Sequence, residues 1–315
     1  MSNQITRRHF VGATGAVAGL MTLASSPALL SAQATSGAGF KYSLNTATIR
    51  GQKLPLPEQF DVAAKAGYDF IEPWLGDVAK YAESNSLKDL RRRAEDQGLK
   101  VISGIGFPEW GVNDDARRAR AMEQLKREMD FMAQLGAPHI AAPPAGIYGK
   151  EVKVELDRLA ERYRAVLEVG RQMQVIPMLE IWGASANLNN LADATYVITK
   201  SGHPDACLLA DVYHVYRGGS DFASLRVLGP TALRVFHMND YPATPPRESL
   251  RDSDRIWPGD GQAPMKEIFS HFLANGSRPV LSLELFNAEY YKMPALDAAR
   301  TGLNKMKACV ASAVS

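Results

Sequence analysis

Four side chains of metal-ligand type close four short apolar runs. Glu180 follows Met178-Leu179, Asp211 follows Leu209-Ala210, His237 follows Leu233-Arg234-Val235-Phe236, and Glu284 follows Val280-Leu281-Ser282-Leu283. Two glutamates, one aspartate and one histidine form a hard, mostly oxygen donor set. It suits one divalent ion, Mn²⁺ foremost, with Mg²⁺, Co²⁺, Fe²⁺ and Zn²⁺ also compatible. Bound to a carbonyl and its neighbouring hydroxyl, such an ion can stabilise the enediolate left by proton abstraction, by several kcal/mol. A carboxylate positioned over the carbon would take the proton, a contribution of about 10² to 10⁴ in rate.

The elements that must position these groups follow from the same runs. Each run is β-rich, too short for a core helix, and followed by a segment of helical periodicity, so each reads as a βα unit. Strands are expected over residues 40–45, 67–72, 99–103, 138–142, 175–181, 207–211, 233–238 and 279–283. Helices are expected over 56–66, 87–97, 115–135, 152–172, 188–200, 221–227, 265–275 and 295–311. Eight such alternations predict one (β/α)₈ TIM barrel over residues 35–315, in which side chains at the carboxyl ends of the strands converge on one face. The longest connection, residues 239–263, is rich in Pro, Arg and Asp, a length that in compact domains usually carries function. Trp74, Trp110, Trp182 and Trp257 all follow predicted strands, where they could wall a sugar face or simply pack their loops.

Residues 1–34 stand apart. Thr6-Arg7-Arg8-His9-Phe10-Val11 precedes a Gly/Ala-rich apolar run from Gly12 to Leu30 and then Ala32-Gln33-Ala34. Paired arginines, a weakly apolar stretch and an A-x-A site predict a twin-arginine signal peptide and a periplasmic or otherwise exported protein, with no stable membrane insertion after cleavage. An uncleaved anchor is the competing reading, disfavoured because Gly, Thr and Ser dilute the run. Removing this leader takes two arginines and no acid, leaving 34 basic residues against 34 acidic ones. A neutral chain whose basic clusters, Arg91-Arg92-Arg93 and Arg117-Arg118, fall on predicted helix faces argues against a nucleic-acid partner. Cys207 and Cys309 are expected to be buried free thiols.

Several segments resemble the sugar isomerase/epimerase group with a xylose isomerase-like barrel, which includes ketose 3-epimerases and inosose dehydratases. They are Gly67-Tyr68-Asp69-Phe70-Ile71-Glu72, Leu179-Glu180, Asp211-Val212-Tyr213-His214, Val235-Phe236-His237-Met238-Asn239-Asp240, Pro258-Gly259-Asp260-Gly261 and Leu281-Ser282-Leu283-Glu284-Leu285. The resemblance covers most of the chain after the leader. It implies that Glu180, Asp211, His237 and Glu284 hold the metal and that Glu180 and Glu284 carry out the proton transfers. It further implies that His214 contacts substrate, as would an arginine of the long loop, Arg247 or Arg255. Glu72 would serve as an extra base or a hydroxyl ligand, and Trp182 would contact the sugar. Family members often form dimers or tetramers, and a homo-oligomer is compatible with this chain. One departure concerns substrate: ketose 3-epimerases carry a further glutamate six residues beyond the strand-five ligand, where this chain has Ala186.

The expected function is therefore metal-dependent isomerisation or epimerisation of a small carbohydrate, by proton abstraction next to a carbonyl. Dehydration or β-elimination shares the first half-reaction and is the alternative. A metal-dependent hydrolase would require more histidines and a basic surface than six His and a neutral balance provide. A non-catalytic envelope sugar-binding protein would not require all four ligands.

Overall fold

The structure is a computed structural model that describes residues 39–314; the leader expected over residues 1–34 lies outside the described residues. Eight parallel strands form one curled sheet: β1 (Tyr42–Asn45), β2 (Phe70–Glu72), β3 (Lys100–Val101), β4 (His139–Ala142), β5 (Ile176–Glu180), β6 (Leu208–Asp211), β7 (Leu233–Met238) and β8 (Val280–Leu283). β1 pairs with both β2 and β8, and the remaining strands follow in chain order. Between β3 and β4 the ladder is reduced to the Ala141 N–H donating to the Gly104 carbonyl at 3.0 Å, which closes the circle. The fold is a (β/α)₈ TIM barrel.

Side chains alternate between two cores, as the two-residue period of a strand requires. Ile102, Ala141, Met178, Leu209 and Val235 fill the barrel, while Leu44, Ile71, Ile140, Leu179, Ala210 and Phe236 face the helices. Each fully buried aliphatic side chain of this kind contributes about 1.5–3 kcal/mol. The same alternation aims Glu72, Glu180, Asp211, His237 and the residue after β8, Glu284, into the barrel rather than towards the helices. Both cysteines are buried and free.

The helices are α1 (Leu56–Ala66), α2 (Leu75–Ala82), α3 (Leu87–Asp96), α4 (Asp115–Leu135), α5 (Leu156–Met173), α6 (Leu191–Ser201), α7 (Val212–Arg217), α8 (Met265–Ala274) and α9 (Ala295–Val314). Two were not expected from periodicity, because both are too short to display it. Helix α2 buries Leu75 and Val78 and is separated from α3 by Glu83-Ser84-Asn85-Ser86, where the Ser86 hydroxyl caps α3 by accepting from the Asp89 N–H at 3.2 Å. Helix α7 begins directly at the end of β6, and the segment expected as a sixth helix is a 3₁₀ run, Phe222–Val227, capped by Asp221. Among the described residues no helix is long and apolar enough to cross a membrane.

Candidate active site and metal centre

Asp211 has two jobs. Its Oδ1 accepts from the His214 N–H at 2.8 Å, capping α7, while Oδ2 accepts from Asn239 Nδ2 at 2.9 Å and faces the barrel mouth. A carboxylate at an N-cap is fixed by the helix it starts, which sets the direction of its free oxygen. Neighbouring β7 places His237 beside it, in register with Asp211. Ligand atoms of Asp211, His237 and Glu284 all lie within 4.8 Å of one another, and all three residues are buried.

The imidazole of His237 is held from below. Its Nε2 lies 2.8 Å from Glu72 Oε2, and that carboxylate also accepts from Ser282 Oγ at 2.9 Å, from Asn45 Nδ2 at 2.9 Å, and from Ser103 Oγ. Glu72 is completely enclosed, so its carboxylate faces His237 and the barrel interior rather than the open cavity. The other ring nitrogen, Nδ1, lies 3.1 Å from Glu284 Oε2 and 3.8 Å from Asp211 Oδ2 but is aligned with neither for a hydrogen bond. Glu180 Oε1 accepts from Trp182 Nε1 at 3.0 Å, and its buried Oε2 has no partner either. Unpartnered buried nitrogen and oxygen atoms are rare in folded proteins. Two of them, beside two further carboxylates, fit the donor demands of one hard or borderline divalent cation.

Arg255 closes the site from the long loop. Its Nη1 donates to Asp211 Oδ2 at 3.0 Å and to Glu284 Oε2 at 2.8 Å, and Nη2 donates to Asp252. The guanidinium lies 4.5 Å from the Tyr213 ring centroid and 5.0 Å from that of Phe286, and it is buried. Its pKa is raised: burial opposes the charge, but Asp211, Asp252 and Glu284 outweigh it. Asp240 shapes the loop that carries Arg255, accepting from the backbone N–H groups of Tyr241, Gly259, Gly261 and Ala263 at 2.8–3.0 Å. This explains the Pro258-Gly259-Asp260-Gly261 segment. Gly259 has φ +84°, and a Cβ at Gly261 would come within 2.3 Å of the Tyr241 carbonyl oxygen. Arg247 is exposed, 5.8 Å over the Tyr216 ring and away from the carboxylates.

The Gly183 N–H donates to His214 Nδ1 at 3.1 Å, so a neutral ring carries its proton on Nε2, which lies 3.0 Å from Arg255 Nη2. Both side chains reach the wall of one cavity. Burial, then the charge of Arg255, lowers the His214 pKa to about 4, keeping that ring neutral.

The two glutamates differ in their surroundings. Burial, then the negative charge of Glu284, pushes the Glu180 carboxyl up to about 8, against the pull of His237. Burial also acts on Glu284, but His237 and Arg255 hold its pKa below the usual carboxylate range. For His237, burial opposes protonation while Glu284 and Glu72 raise its pKa well above 6.5.

A cavity of about 300 Å³ opens above these groups, with Glu180, Glu284, His214 and Arg255 in its wall. Trp74, Phe107, Trp182, Tyr148 and Phe286 give it an aromatic rim. Trp110 is fully buried, donating to the Pro143 carbonyl at 2.8 Å, and Trp257 stacks on Tyr290 at 4.1 Å, so both pack loops. Ala186 is exposed on the loop after β5. Asn45, Ser103, Asn239 and Ser282 hold the acids, and none had a role in the sequence reading. Asn and Ser at strand ends carry no distinctive pattern, and of the four only Asn239 and Ser282 fell inside segments carrying the family resemblance.

Comparison with known proteins agrees with this architecture. A family model described as xylose isomerase-like TIM barrel matches residues 60–309. The chain is 26% identical over 258 residues to an inosose isomerase of Bacillus velezensis, covering 81% of this chain and 92% of that one. It is 26% identical over 271 residues to a 3-dehydroshikimate dehydratase of Pseudomonas aeruginosa, covering 84% of this chain but 41% of that one. Among solved structures, the IolI protein with a binding zinc atom superposes with a TM-score of 0.79 at 24% identity, over 86% of this chain and 98% of that one. An L-ribulose 3-epimerase superposes with a TM-score of 0.71 at 20% identity, over 87% and 96%.

Proposed function

The chain belongs to the xylose isomerase-like TIM barrel family, and from that membership and its site we propose that it is a divalent-metal-dependent isomerase or epimerase of a sugar, sugar acid or keto-sugar. The observation that carries this reading is the convergence of Asp211, His237 and Glu284 on one point, beneath a cavity that Glu180 also lines. The similarity to an inosose isomerase supports it.

Glu180, Asp211, His237 and Glu284 would hold the ion, with Mn²⁺ first, although the IolI structure carries zinc. When bound, the ion supplies electrophilic polarisation of the carbonyl and charge stabilisation of the enediolate. Glu284, kept ionised by His237 and Arg255, is suited to take the proton. Glu180, in the wall of the same cavity, is placed to return one. Their strands are separated by β6 and β7, so removal and return can occur on different faces of the carbon. His214 Nε2–H and Arg255 Nη2 orient a substrate oxygen, and the aromatic rim excludes water.

A dehydratase is the second reading, favoured by the similarity to 3-dehydroshikimate dehydratases. Incubating Mn²⁺-loaded protein with keto-sugars and 3-oxo-glycosides, followed by mass spectrometry, separates the two. A product isomeric with the substrate supports the epimerase, whereas loss of water or of an alcohol supports the lyase. If no substrate is converted at all, the hydrolase and binding-protein readings gain. Export by the twin-arginine route, cleavage after residue 34 and a homo-oligomeric state are part of the same proposal. The first two rest on Arg7-Arg8 and Ala32-Gln33-Ala34.

A further inference from the structure

The cavity over the carboxylates is walled largely by aromatic side chains. Tyr148 and Phe107 are 50% and 40% exposed, two of the few large hydrophobic side chains that solvent reaches among the described residues, and both stand on its rim. They belong to a continuous aromatic wall. Ring centroids are 6.1 Å apart from Phe286 to Trp74, 5.2 Å from Trp74 to Phe107, 6.1 Å from Phe107 to Trp182 and 6.1 Å from Trp182 to Tyr148. Trp182 donates to Glu180, so the wall runs outward from the acid itself. Exposed apolar groups gathered in one place generally mark a binding surface.

The wall leads somewhere. A second cavity of about 420 Å³ shares Tyr148, Ala184, Tyr213 and Asp252 with the first. Apart from Leu250 its other lining groups are polar, with Arg217, Glu248 and Arg251 among them. Arg217 is fixed there, donating to the Glu248 carbonyl at 2.9 Å and to the Leu250 carbonyl at 3.3 Å. An aromatic face on one side and charged hydrogen-bonding groups on the other match the two faces of a pyranose, one of C–H bonds and one of hydroxyls.

We infer that this protein takes an extended substrate, a glycoside of two sugar rings. The reacting ring sits at Glu180, Glu284 and Arg255, and the second ring sits between Phe107, Tyr148 and the 247–252 loop. The inference rests on the proposed function for its first ring and adds the second.

The test uses unoxidised sugars, which need no proton abstraction, so it is independent of catalysis. Calorimetry on the Mn²⁺-loaded protein compares glucose with trehalose, maltose, cellobiose, sophorose and phenyl β-D-glucopyranoside. At least one disaccharide should bind about tenfold tighter than glucose. Phe107→Ala and Tyr148→Ala should bring that ratio towards one, and Phe107→Tyr should preserve it. These side chains are exposed, so their truncation does not threaten the fold. Equal affinity for glucose and every disaccharide, no detectable binding of any of them, or a ratio unmoved by the alanine variants would each overturn the inference. A gain confined to the phenyl glucoside would also overturn it, pointing to an apolar aglycone. Tight disaccharide binding without proton exchange into the oxidised sugars would sink the enolisation reading and leave the two-ring site standing.

Discussion

Glu72 Oε2 lies 2.8 Å from His237 Nε2, and neither residue is reached by solvent. That contact fixes the ring so that Nδ1 is the nitrogen turned to Asp211 and Glu284, at 3.8 and 3.1 Å. Partners that orient a metal-binding histidine commonly matter almost as much as the ligand. Glu72→Gln, which keeps the shape and removes the charge, should therefore weaken divalent-metal affinity by about 10- to 100-fold. Calorimetric titration of Mn²⁺ and Zn²⁺ checks this, with circular dichroism confirming the fold. Unchanged affinity would mean that the ring is held by its packing alone.

Arg255 stands between Asp211 and Glu284 as a fixed positive charge. Arg255→Met would leave these buried carboxylates facing one another, and removal of one partner of a buried ion pair typically costs about 3–5 kcal/mol. The metal-free variant should unfold at lower urea than the parent, and saturating Mn²⁺ should recover part of the loss by restoring positive charge. Urea titrations with and without the ion measure both effects. A variant as stable as the parent without metal would show that Arg255 is not the counter-charge.

How far the sequence could be read depended on whether a residue's role followed from its strand. Glu180, Asp211, His237 and Glu284 each follow an apolar run, and βα repetition alone sends strand ends to one face. Glu72 ends its strand in the same way, yet hydrogen bonds from Asn45, Ser103 and Ser282 enclose it under His237, which no pattern along one strand records. Arg255 and Arg247 sit eight positions apart in one loop. Their separation was set by the pairing of Asp240 with Ile256 and the turns around Gly259, which are tertiary facts. Helix α7 was illegible because its six residues are too few for periodicity, and because its cap, Asp211, already read as the end of a strand.

His139, at the start of β4, gives a further pH dependence. Burial, then the neighbouring Arg234, lowers its pKa from 6.5 to about 4. The unfolded chain therefore takes up this proton first, so stability is complete above pH 6.5 and is lost as pH falls towards 4. Because the ring is half-buried, the loss should be about 2 kcal/mol, less than the full shift would give. Urea midpoints at pH 7.5 and 4.5 should differ more in the parent than in His139→Gln. Equal differences would assign the acid sensitivity to other groups.

The central claim is proton abstraction beside a carbonyl by the Glu180 and Glu284 pair. Its most direct test is solvent-deuterium incorporation into keto-sugars and 3-oxo-glycosides, followed by mass spectrometry with Mn²⁺-loaded protein. The parent should incorporate deuterium at carbon next to the carbonyl. Glu284→Gln and Glu180→Gln should slow it by about 10² to 10⁴, with each variant's fold confirmed by circular dichroism and its metal content measured. Absence of exchange from the parent with every substrate, or undiminished exchange in both metal-loaded variants, would contradict the account.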